Sequence, residues 1–429
     1  MKAVKRGLDR ALRRLRGGRL WGHPDFTRLW VGQAVSELGS QVTSLALPTA
    51  AIFLLHAGAI QLGIIGALDY LPFLLIGLVA GVMVDRLRRR PVLIAADLGR
   101  FVCLASIPVT FAAGHLTLLL VYAVALLTGI CTVFFDVAYQ SYLPALVGPG
   151  NLVEGNSKLT VSDSLASLAG PALAGILIQL LGAARAVALD AGSYLVSVGS
   201  LWSIQSREAP PARESPRRAV ADEIWEGLRF VFGNRVLRNI TACGTTHNLG
   251  AIMVRTLLLL FAYRQLGLTP TAVGLVLAVG SGISLLGAVA AGPATRSWGV
   301  GPTLVATQIL TGVAYLLIPL ATLGAPLLWI GLSQLLLGLQ RSVFNIVQVS
   351  LRQAVTPDAM RGRMTASIRT VIWGVYPIGA LLGGALGTRL GLTPTIAVGG
   401  LLSLLASAWL LAPSVRTVRE HPGQTRQPA

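Results

Sequence analysis

The sequence predicts an all-α membrane protein with twelve transmembrane helices in two pseudo-symmetric six-helix bundles. The chain has 429 residues, of which 54% are hydrophobic and only 12% are charged. A soluble domain carries about 25% charged residues, so most of this surface cannot face water. The apolar runs are each about 20 residues long, which is the length that crosses about 30 Å of hydrocarbon.

Each predicted span is an apolar run bounded by polar turns. The first six runs lie at 29–55, 61–84, 91–113, 116–138, 160–182 and 185–204. The other six lie at 239–263, 270–293, 301–323, 326–350, 364–388 and 391–412. A soluble core does not need so many apolar runs of this length, so each is assigned to a membrane-spanning helix.

The polar segments divide the chain into five parts. These are a basic segment at 1–28, a first bundle at 29–205, a linker at 206–237, a second bundle at 238–413 and a tail at 414–429. The basic segment has no apolar core of a signal peptide, and is either an amphipathic helix on anionic lipid headgroups or a disordered tail. The linker is rich in proline and charge, and its residues 222–232 are predicted to form a helix along the membrane surface.

The orientation follows from the positive-inside rule. If both termini are cytoplasmic, the outer turns hold only Arg185, Arg264 and Arg389, while Arg255 and Arg341 fall inside spans. The remaining 30 of the 35 Lys and Arg residues then lie on the inner side. This predicts a multi-pass protein of the bacterial cytoplasmic membrane. The net charge of +18 follows from that topology, and no basic stripe with interleaved aromatics predicts a nucleic-acid partner.

Two constant offsets relate the halves of the chain. Residues 211 positions apart match in the pairs Gly63 and Gly274, Leu74 and Leu285, Gly81 and Gly292, and Pro91 and Pro302. Residues 209 positions apart match in the pairs Phe135 and Phe344, Gly170 and Gly379, and Gly175 and Gly384. A duplicated six-span unit explains both offsets, and parallel repeats of this kind build two helical bundles around a midplane cavity.

Two motifs carry a family resemblance. The turn Gly81-x-x-x-Asp85-Arg86-x-x-Arg89-Arg90 resembles the signature of the major facilitator superfamily between spans two and three, with Arg88 in place of a usual glycine. In span five, Gly170-Pro171-Ala172-Leu173-Ala174-Gly175 resembles the Gly-Pro motif of antiporter-type members, with Ala174 in place of a glycine. The resemblance covers nearly the whole chain and implies the major facilitator fold.

Further stretches are similar to one branch of that superfamily, which holds the enterobactin exporter and macrolide efflux proteins. They are 26–33, 37–39, 92–100, 226–231 and 361–363. The fourth span has Thr128-Gly129 where many proton-driven drug exporters carry an arginine motif, so a proton relay in that span is not expected.

The resemblance implies a cytoplasmic latch that holds the outward-facing state. Its residues are Gly81, Asp85, Arg86, Arg89, Arg90 and Arg100. The Asp85 carboxylate would accept hydrogen bonds from a helix N-terminus or from Arg100. The alternative is a solvated turn that only obeys charge topology. The glycines of Gly170-Pro171 and Gly175 likewise either serve an exporter-specific helix or simply let helices pack closely.

Charges placed inside spans are the main functional candidates, because each costs at least about 2.5 kcal/mol at a helix centre. A carboxylate with apolar walls can bind and release protons as access alternates. The proton-coupling candidates are Glu37, Asp69 and Asp163. For Glu37 the alternative is a structural ion pair, for example with Arg341, and Asp163 and Asp190 lie nearer predicted span ends, where a structural role is favoured.

The resemblance places spans one, four, seven and ten around the central cavity. The substrate-cavity candidates are Gln33, Gln41, Asn248, Arg255, Gln334, Arg341, Asn345 and Trp373. Arg341 would either pair with an acid or meet an anionic group on the substrate. For the polar and aromatic candidates, helix packing is the competing interpretation.

These features predict a secondary active exporter that moves an amphipathic organic compound, such as a drug, natural product or siderophore, in exchange for protons. We expect a monomer with the lipid bilayer, a small-molecule substrate and protons as partners. No nucleotide-binding loop and no paired metal-ligand spacing occur, so no cofactor and no metal are expected. The alternatives are an importer or symporter of a small metabolite on the same fold, and a non-transport polytopic membrane protein. A polytopic enzyme would need a catalytic cluster near one membrane face, which the sequence lacks.

Overall fold

The computed structural model describes residues 19–206, 208 and 220–419. Every regular element in these residues is helical, which confirms the all-α class. Most of the predicted basic segment 1–28, part of the linker and the end of the tail lie outside the described residues.

The helices follow the predicted spans closely. Numbered along the chain, the α-helices are α1 (Pro24–Leu54), α2 (Ala59–Leu75), α3 (Gly77–Arg86), α4 (Arg89–Ala112), α5 (Leu118–Val147), α6 (Leu152–Leu181), α7 (Ala183–Ser203), α8 (Val220–Gly233) and α9 (Arg235–Leu260). They continue with α10 (Pro270–Trp298), α11 (Val300–Leu320), α12 (Pro326–Ala354), α13 (Arg361–Gly374), α14 (Tyr376–Arg389), α15 (Leu392–Leu405), α16 (Ser407–Leu410) and α17 (Pro413–Arg416). A π-helical turn, Phe261–Gln265, extends α9.

In the described part of the chain, nine helical segments are long and apolar enough to cross a bilayer. The count of twelve spans stays a prediction. The predicted helix at 222–232 is confirmed as α8, although its position at the membrane surface stays a prediction.

Two predicted spans are interrupted near their middle. The second breaks at Ile76 between α2 and α3, and the eleventh breaks at Val375 between α13 and α14. Pro72 lies just before the first break, and Pro377 directly follows the start of α14. Because proline donates no backbone N–H and disfavours helical geometry in the residue before it, Pro377 gives the second break a local cause. Pro72 disturbs the turn before itself and does not account for the break at Ile76.

Packing divides the described residues into two compact units. Unit 1 lies within Met1–Leu47 and Leu75–Arg213, and unit 2 lies within Pro48–Leu74 and Glu214–Ala429. Residues 48–74 therefore pack with the C-terminal helices, which differs from the boundary at 205 that the sequence repeat predicts. A close approach explains this: a Cβ on Gly63 of α2 would lie 3.0 Å from the Gly384 Cα of α14, so two glycines are needed there.

Each unit has its own apolar core. In unit 1, Phe26, Leu93 and Phe135 belong to one buried cluster. In unit 2, Leu304 and Leu351 belong to another. Within a bilayer such side chains hold helices together by van der Waals packing rather than by transfer from water, and these cores hold the polar residues described next in fixed positions.

Candidate functional site

Helices α4 and α7 of unit 1 bury ionisable side chains between them. Asp97 and Asp190 are fully buried. The Arg100 guanidinium lies 3.5 Å from the Asp97 carboxylate, and the Ser197 hydroxyl donates to that carboxylate at 2.6 Å. The Ser193 hydroxyl donates to Asp190 at 3.0 Å. These five residues are called the buried charge cluster below.

Aromatic rings and α1 enclose the buried charge cluster. The guanidinium carbon of Arg100 lies 4.1 Å from the Phe135 ring centre and 5.0 Å from the Tyr194 ring centre. The Tyr194 hydroxyl shares a 2.9 Å hydrogen bond with Ser40 of α1. One guanidinium therefore lies beside the Asp97 carboxylate, interacts electrostatically with Asp190, and makes cation–π contacts with two rings.

Glu37 lies beside this region, half-buried on α1. The Gln41 side-chain amide donates to its carboxylate at 3.4 Å. The charged neighbours that act on Glu37 include Asp163 of α6 and Asp136 of α5. The Gln41 side chain packs directly against Gly170 of α6, and its Cγ would lie 2.8 Å from a Cβ added there. The glycine of the Gly-Pro motif thus makes room for the residue that holds Glu37.

Unit 2 places an acid opposite an arginine. Asp69 lies on α2 ten residues after Ala59, and Arg255 lies ten residues before the end of the π-helical turn at Gln265, so each is about 15 Å from its helix end. Those ends meet, because Ala59 and Arg264 line one pocket. Asp69 and Arg255 attract each other, yet no described carboxylate lies within 4.0 Å of Arg255.

The acid of unit 2 comes from the N-terminal half of the sequence. The sequence after the linker has no acid within a predicted span, so Arg255 and Arg341 would lack an embedded partner from their own half. Residues 48–74 supply Asp69 to the same unit. This pairing across the repeat is invisible in the linear sequence.

Tyrosines connect the two arginines of unit 2. Tyr315 of α11 and Tyr376 of α14 each interact electrostatically with both Arg255 and Arg341. Nearby, the side-chain amide of Gln308 lies 3.4 Å from His247 Nδ1 and donates to the Ser403 carbonyl at 2.8 Å. His247 is therefore held by hydrogen bonding.

The motif turn of unit 1 is held by the start of the linker. The backbone N–H groups of Arg89 and Arg90 donate to the Glu208 carboxylate at 2.8 and 3.2 Å. The Arg90 guanidinium donates to the carbonyls of Leu201 and Trp202 at the end of α7. An acid at a helix N-terminus and a cation at a helix C-terminus both favour this arrangement.

The remaining latch candidates have different outcomes. Gly81 and Arg86 lie on α3, and Arg86 is exposed. Nothing is described of the Asp85 side chain. Arg100, predicted to reach Asp85, belongs instead to the buried charge cluster, eleven residues and about 16 Å along α4 from Arg89.

Asp25, at the start of α1, holds the same linker segment. Its carboxylate accepts the backbone N–H groups of Gln205 at 3.0 Å and Ser206 at 2.8 Å, and pairs with Arg28 at 2.8 Å. Burial by itself would raise the pKa of the Asp25 carboxyl. The two backbone donors and Arg28 outweigh burial and hold that pKa below its ordinary value of 3.8.

Replacing Asp25 with asparagine is expected to remove the part of the free energy of unfolding that depends on an ionised Asp25 carboxylate. A pKa lowered by folding contributes stability that is present above the ordinary value and is lost as pH falls through the folded-state pKa. We expect Asp25→Asn to lower the free energy of unfolding by about 1–2 kcal/mol at neutral pH, and by less below about pH 4. Thermal unfolding in detergent at several pH values measures both. The control Asp358→Asn, whose side chain is 87% exposed, should keep the parent's pH dependence, and an equal loss at all pH values for Asp25→Asn would contradict the prediction.

Other predicted candidates lie on the expected helices without forming one site. Gln33 and Asn248 are half-buried on α1 and α9. Gln334 of α12 packs beside Gly280 of α10, and Asn345 accepts a hydrogen bond from Gln348 at 3.3 Å. Trp373 is 37% exposed and joins an aromatic group described below.

Sequence reasoning missed Asp97, which is fully buried here. Asp190, predicted to have a structural role near a span end, is fully buried as well. The available signal was the spacing of Asp97 and Arg100, three residues apart inside an apolar run. It also missed Lys158 of α6, which is 2% exposed and pairs with Glu154 at 2.8 Å. In the described residues no group of three or more His, Cys, Asp or Glu side chains could hold a metal ion.

Long apolar helices with ionisable side chains at their centres define a class: a polytopic membrane transporter. The chain belongs to the family of transmembrane secretion effectors within the major facilitator superfamily, and residues 21–427 match that family. As a member, it is a multi-pass protein of the bacterial inner membrane. Its family and relatives are transporters, so its substrate is a small molecule that it moves across the membrane.

Named relatives span most of the chain. It is 29% identical over 366 residues to the multidrug efflux pump Tap of Mycolicibacterium fortuitum, covering 83% of this chain and 88% of the relative. It is 25% identical over 418 residues to the enterobactin exporter EntS of Escherichia coli O1:K1 / APEC, covering 94% of this chain and 95% of that relative. A bacterial homologue of the iron transporter ferroportin in an inward-facing state shares the fold, with a TM-score of 0.75, 18% identity, and coverage of 93% and 100%.

Proposed function

We propose that the protein exports an amphipathic organic compound from the cytoplasm by proton antiport with alternating access. The family match and the efflux relatives, a multidrug pump and an enterobactin exporter, support the export direction. We further propose that it acts as a monomer with both termini in the cytoplasm, and that it catalyses no covalent reaction.

One observation carries the coupling part of this proposal. Glu37 lies within a helix span with two acids, Asp163 and Asp136, as charged neighbours and with Gln41 as a hydrogen-bond donor. A carboxyl group beside other acids inside a span can take up and release a proton as access alternates. A group that must be loaded and emptied from alternate sides of the membrane needs such reversible chemistry. Glu37 is therefore the first candidate for the coupling acid, and Asp69 of unit 2 is the second.

The proposal is tested by a drug-susceptibility panel in an efflux-deficient bacterial host. The intact chain is expected to protect against at least one amphipathic compound. Glu37→Gln and Asp69→Asn keep the shape of the side chain but remove the ionisable proton, and each is expected to reduce protection to the level of cells without the transporter. Asp358→Asn, an exposed acid outside the spans, is the matched control and should protect like the parent.

The outcomes separate the parts of the proposal. Full protection by both acid variants would refute coupling through these residues and leave export intact. Accumulation of the same compound in right-side-out vesicles but not in inside-out vesicles would refute export and favour an importer.

A further inference from the structure

Unit 2 carries a continuous row of aromatic rings beside exposed arginines. We call Tyr70, Arg255, Arg341, Arg369, Trp373 and Tyr376 the arginine–aromatic face. The Tyr70 and Tyr376 ring centres lie 4.8 Å apart in an edge-on contact, and Trp373 and Tyr376 are stacked at 6.4 Å. The guanidinium carbon of Arg369 lies 3.9 Å above the Trp373 ring. Rings and a cation thus already pair with one another on this face.

The three arginines are exposed and have no close acid. Arg255, Arg341 and Arg369 are all exposed, and none has a carboxylate of the described residues within 4.0 Å. Arg341 lies fifteen residues into α12, about 22 Å from its start, which is near the middle of a span. An arginine at that depth faces water or protein rather than lipid, because charge in hydrocarbon is too costly. The face is therefore open to a dissolved ligand.

Charge counting decides which ligand suits the face. Among the residues that the structure describes, Asp69 is the acid that acts on Arg255, and no carboxylate lies within 4.0 Å of any of the three guanidinium groups. Arg255 and Arg341 interact with the same two tyrosines, Tyr315 and Tyr376, so one ligand of ordinary size can reach both. The surplus positive charge favours an anion, and guanidinium groups bind carboxylate or sulfonate oxygens in a two-point geometry.

We propose that the arginine–aromatic face binds planar aromatic organic anions, meaning a ring system that bears a carboxylate, sulfonate or acidic phenol. The anionic group meets Arg255 and Arg341, while the ring stacks beside Trp373 and Tyr376. This assigns a substrate class to the export function proposed above and rests on it.

An anionic substrate also distinguishes the two coupling candidates. Ionised Asp69 competes with the anion for Arg255, so a proton on Asp69 would bind together with the substrate rather than in exchange for it. For this substrate class Asp69 therefore acts as a counter-charge that helps the anion leave. Glu37 remains the candidate for the exchanged proton.

Two dyes of nearly the same shape and opposite charge test the proposal. Fluorescein is a planar xanthene anion, and rhodamine 123 is a planar xanthene cation. Fluorescence polarisation with the purified full-length protein in detergent should give fluorescein an affinity about tenfold or more above that of rhodamine 123. Arg255→Gln and Arg341→Gln should each weaken fluorescein binding about tenfold and leave rhodamine 123 unchanged or tighter. Asp69→Asn should tighten fluorescein binding.

Controls keep the test decisive. Arg389→Gln removes an exposed arginine at the end of α14, and should bind both dyes like the parent. Arg255→Lys keeps the charge and should retain part of the fluorescein affinity. Melting temperatures of the two Arg255 variants and the parent show whether Arg255→Gln is folded. Equal affinity for the two dyes, a preference for rhodamine 123, no binding of fluorescein, or arginine variants with parental fluorescein affinity would each overturn the proposal. Drug protection by the intact chain would still support export in those cases.

Discussion

Replacing Arg100 with methionine is expected to lower the free energy of unfolding by about 3–5 kcal/mol, since it leaves a buried carboxylate without its cation. Arg100 is 5% exposed, lies 3.5 Å from Asp97, and contacts the rings of Phe135 and Tyr194. Methionine fills much of the same volume, so the expected loss is electrostatic rather than a cavity effect. Thermal or denaturant unfolding in detergent measures it.

The double variant Asp97→Leu with Arg100→Met separates pairing from burial. Removing both charges should recover most of the loss, because a buried ion pair is stabilising mainly by comparison with a lone buried charge. The pair Asp358 and Arg361 is a matched control, with the same three-residue spacing and an N–O distance of 2.7 Å, but side chains that are 87% and 50% exposed. Arg361→Met should have no measurable effect. Parental stability of Arg100→Met would contradict the assignment of Arg100 to the buried charge cluster.

Replacing Gly338 with valine is expected to lower the free energy of unfolding by about 3 kcal/mol or more. Gly338 of α12 faces Gly280 of α10, and an added Cβ would overlap the Gly280 carbonyl oxygen and lie 3.1 Å from its Cα. These are backbone atoms of a long helix, so they cannot turn aside as a flexible side chain would. The two helices must separate, which opens the contact that small residues provide in membrane helix pairs.

Gly331 provides the control on the same helix. It lies seven residues, about two turns, before Gly338, and an added Cβ would meet no atom within 4 Å. Gly331→Val has the same change in helix propensity, so the difference between the two variants isolates the helix contact. Similar unfolding temperatures for both variants would show that α10 and α12 do not depend on the glycine pair.

The fold was largely readable from the sequence because apolar length is a one-dimensional property. The predicted run 116–138 overlaps α5, Leu118–Val147, from residue 118 onward, and the run 160–182 corresponds to α6, Leu152–Leu181, with an earlier start. The first turns of α6 contain polar residues, which a hydropathy pattern does not assign to a helix. One of them, Lys158, pairs with Glu154 one turn away.

The site was less readable because it depends on which helices touch. Glu37 and Asp69 stood out as isolated acids in apolar runs, and both lie near other ionisable groups. Asp97 did not stand out, since it lies in the stretch 92–100, which was notable for its family resemblance. Trp373 was a cavity candidate with helix packing as the competing interpretation, and only the structure sets Arg369 and Tyr376 against it.

By itself the sequence determined the helical class, the positions of the apolar runs and the family resemblance, because each depends on local composition. It also identified a few functional candidates among the charges inside spans, because placing a charge in hydrocarbon is unfavourable. Only the tertiary structure decided the pairings. It set Arg100 against Asp97 rather than in the motif turn, gave Asp69 to the unit of Arg255, and lined arginines with aromatic rings. Such contacts join residues far apart in the chain through helix packing, and no local pattern encodes which faces meet.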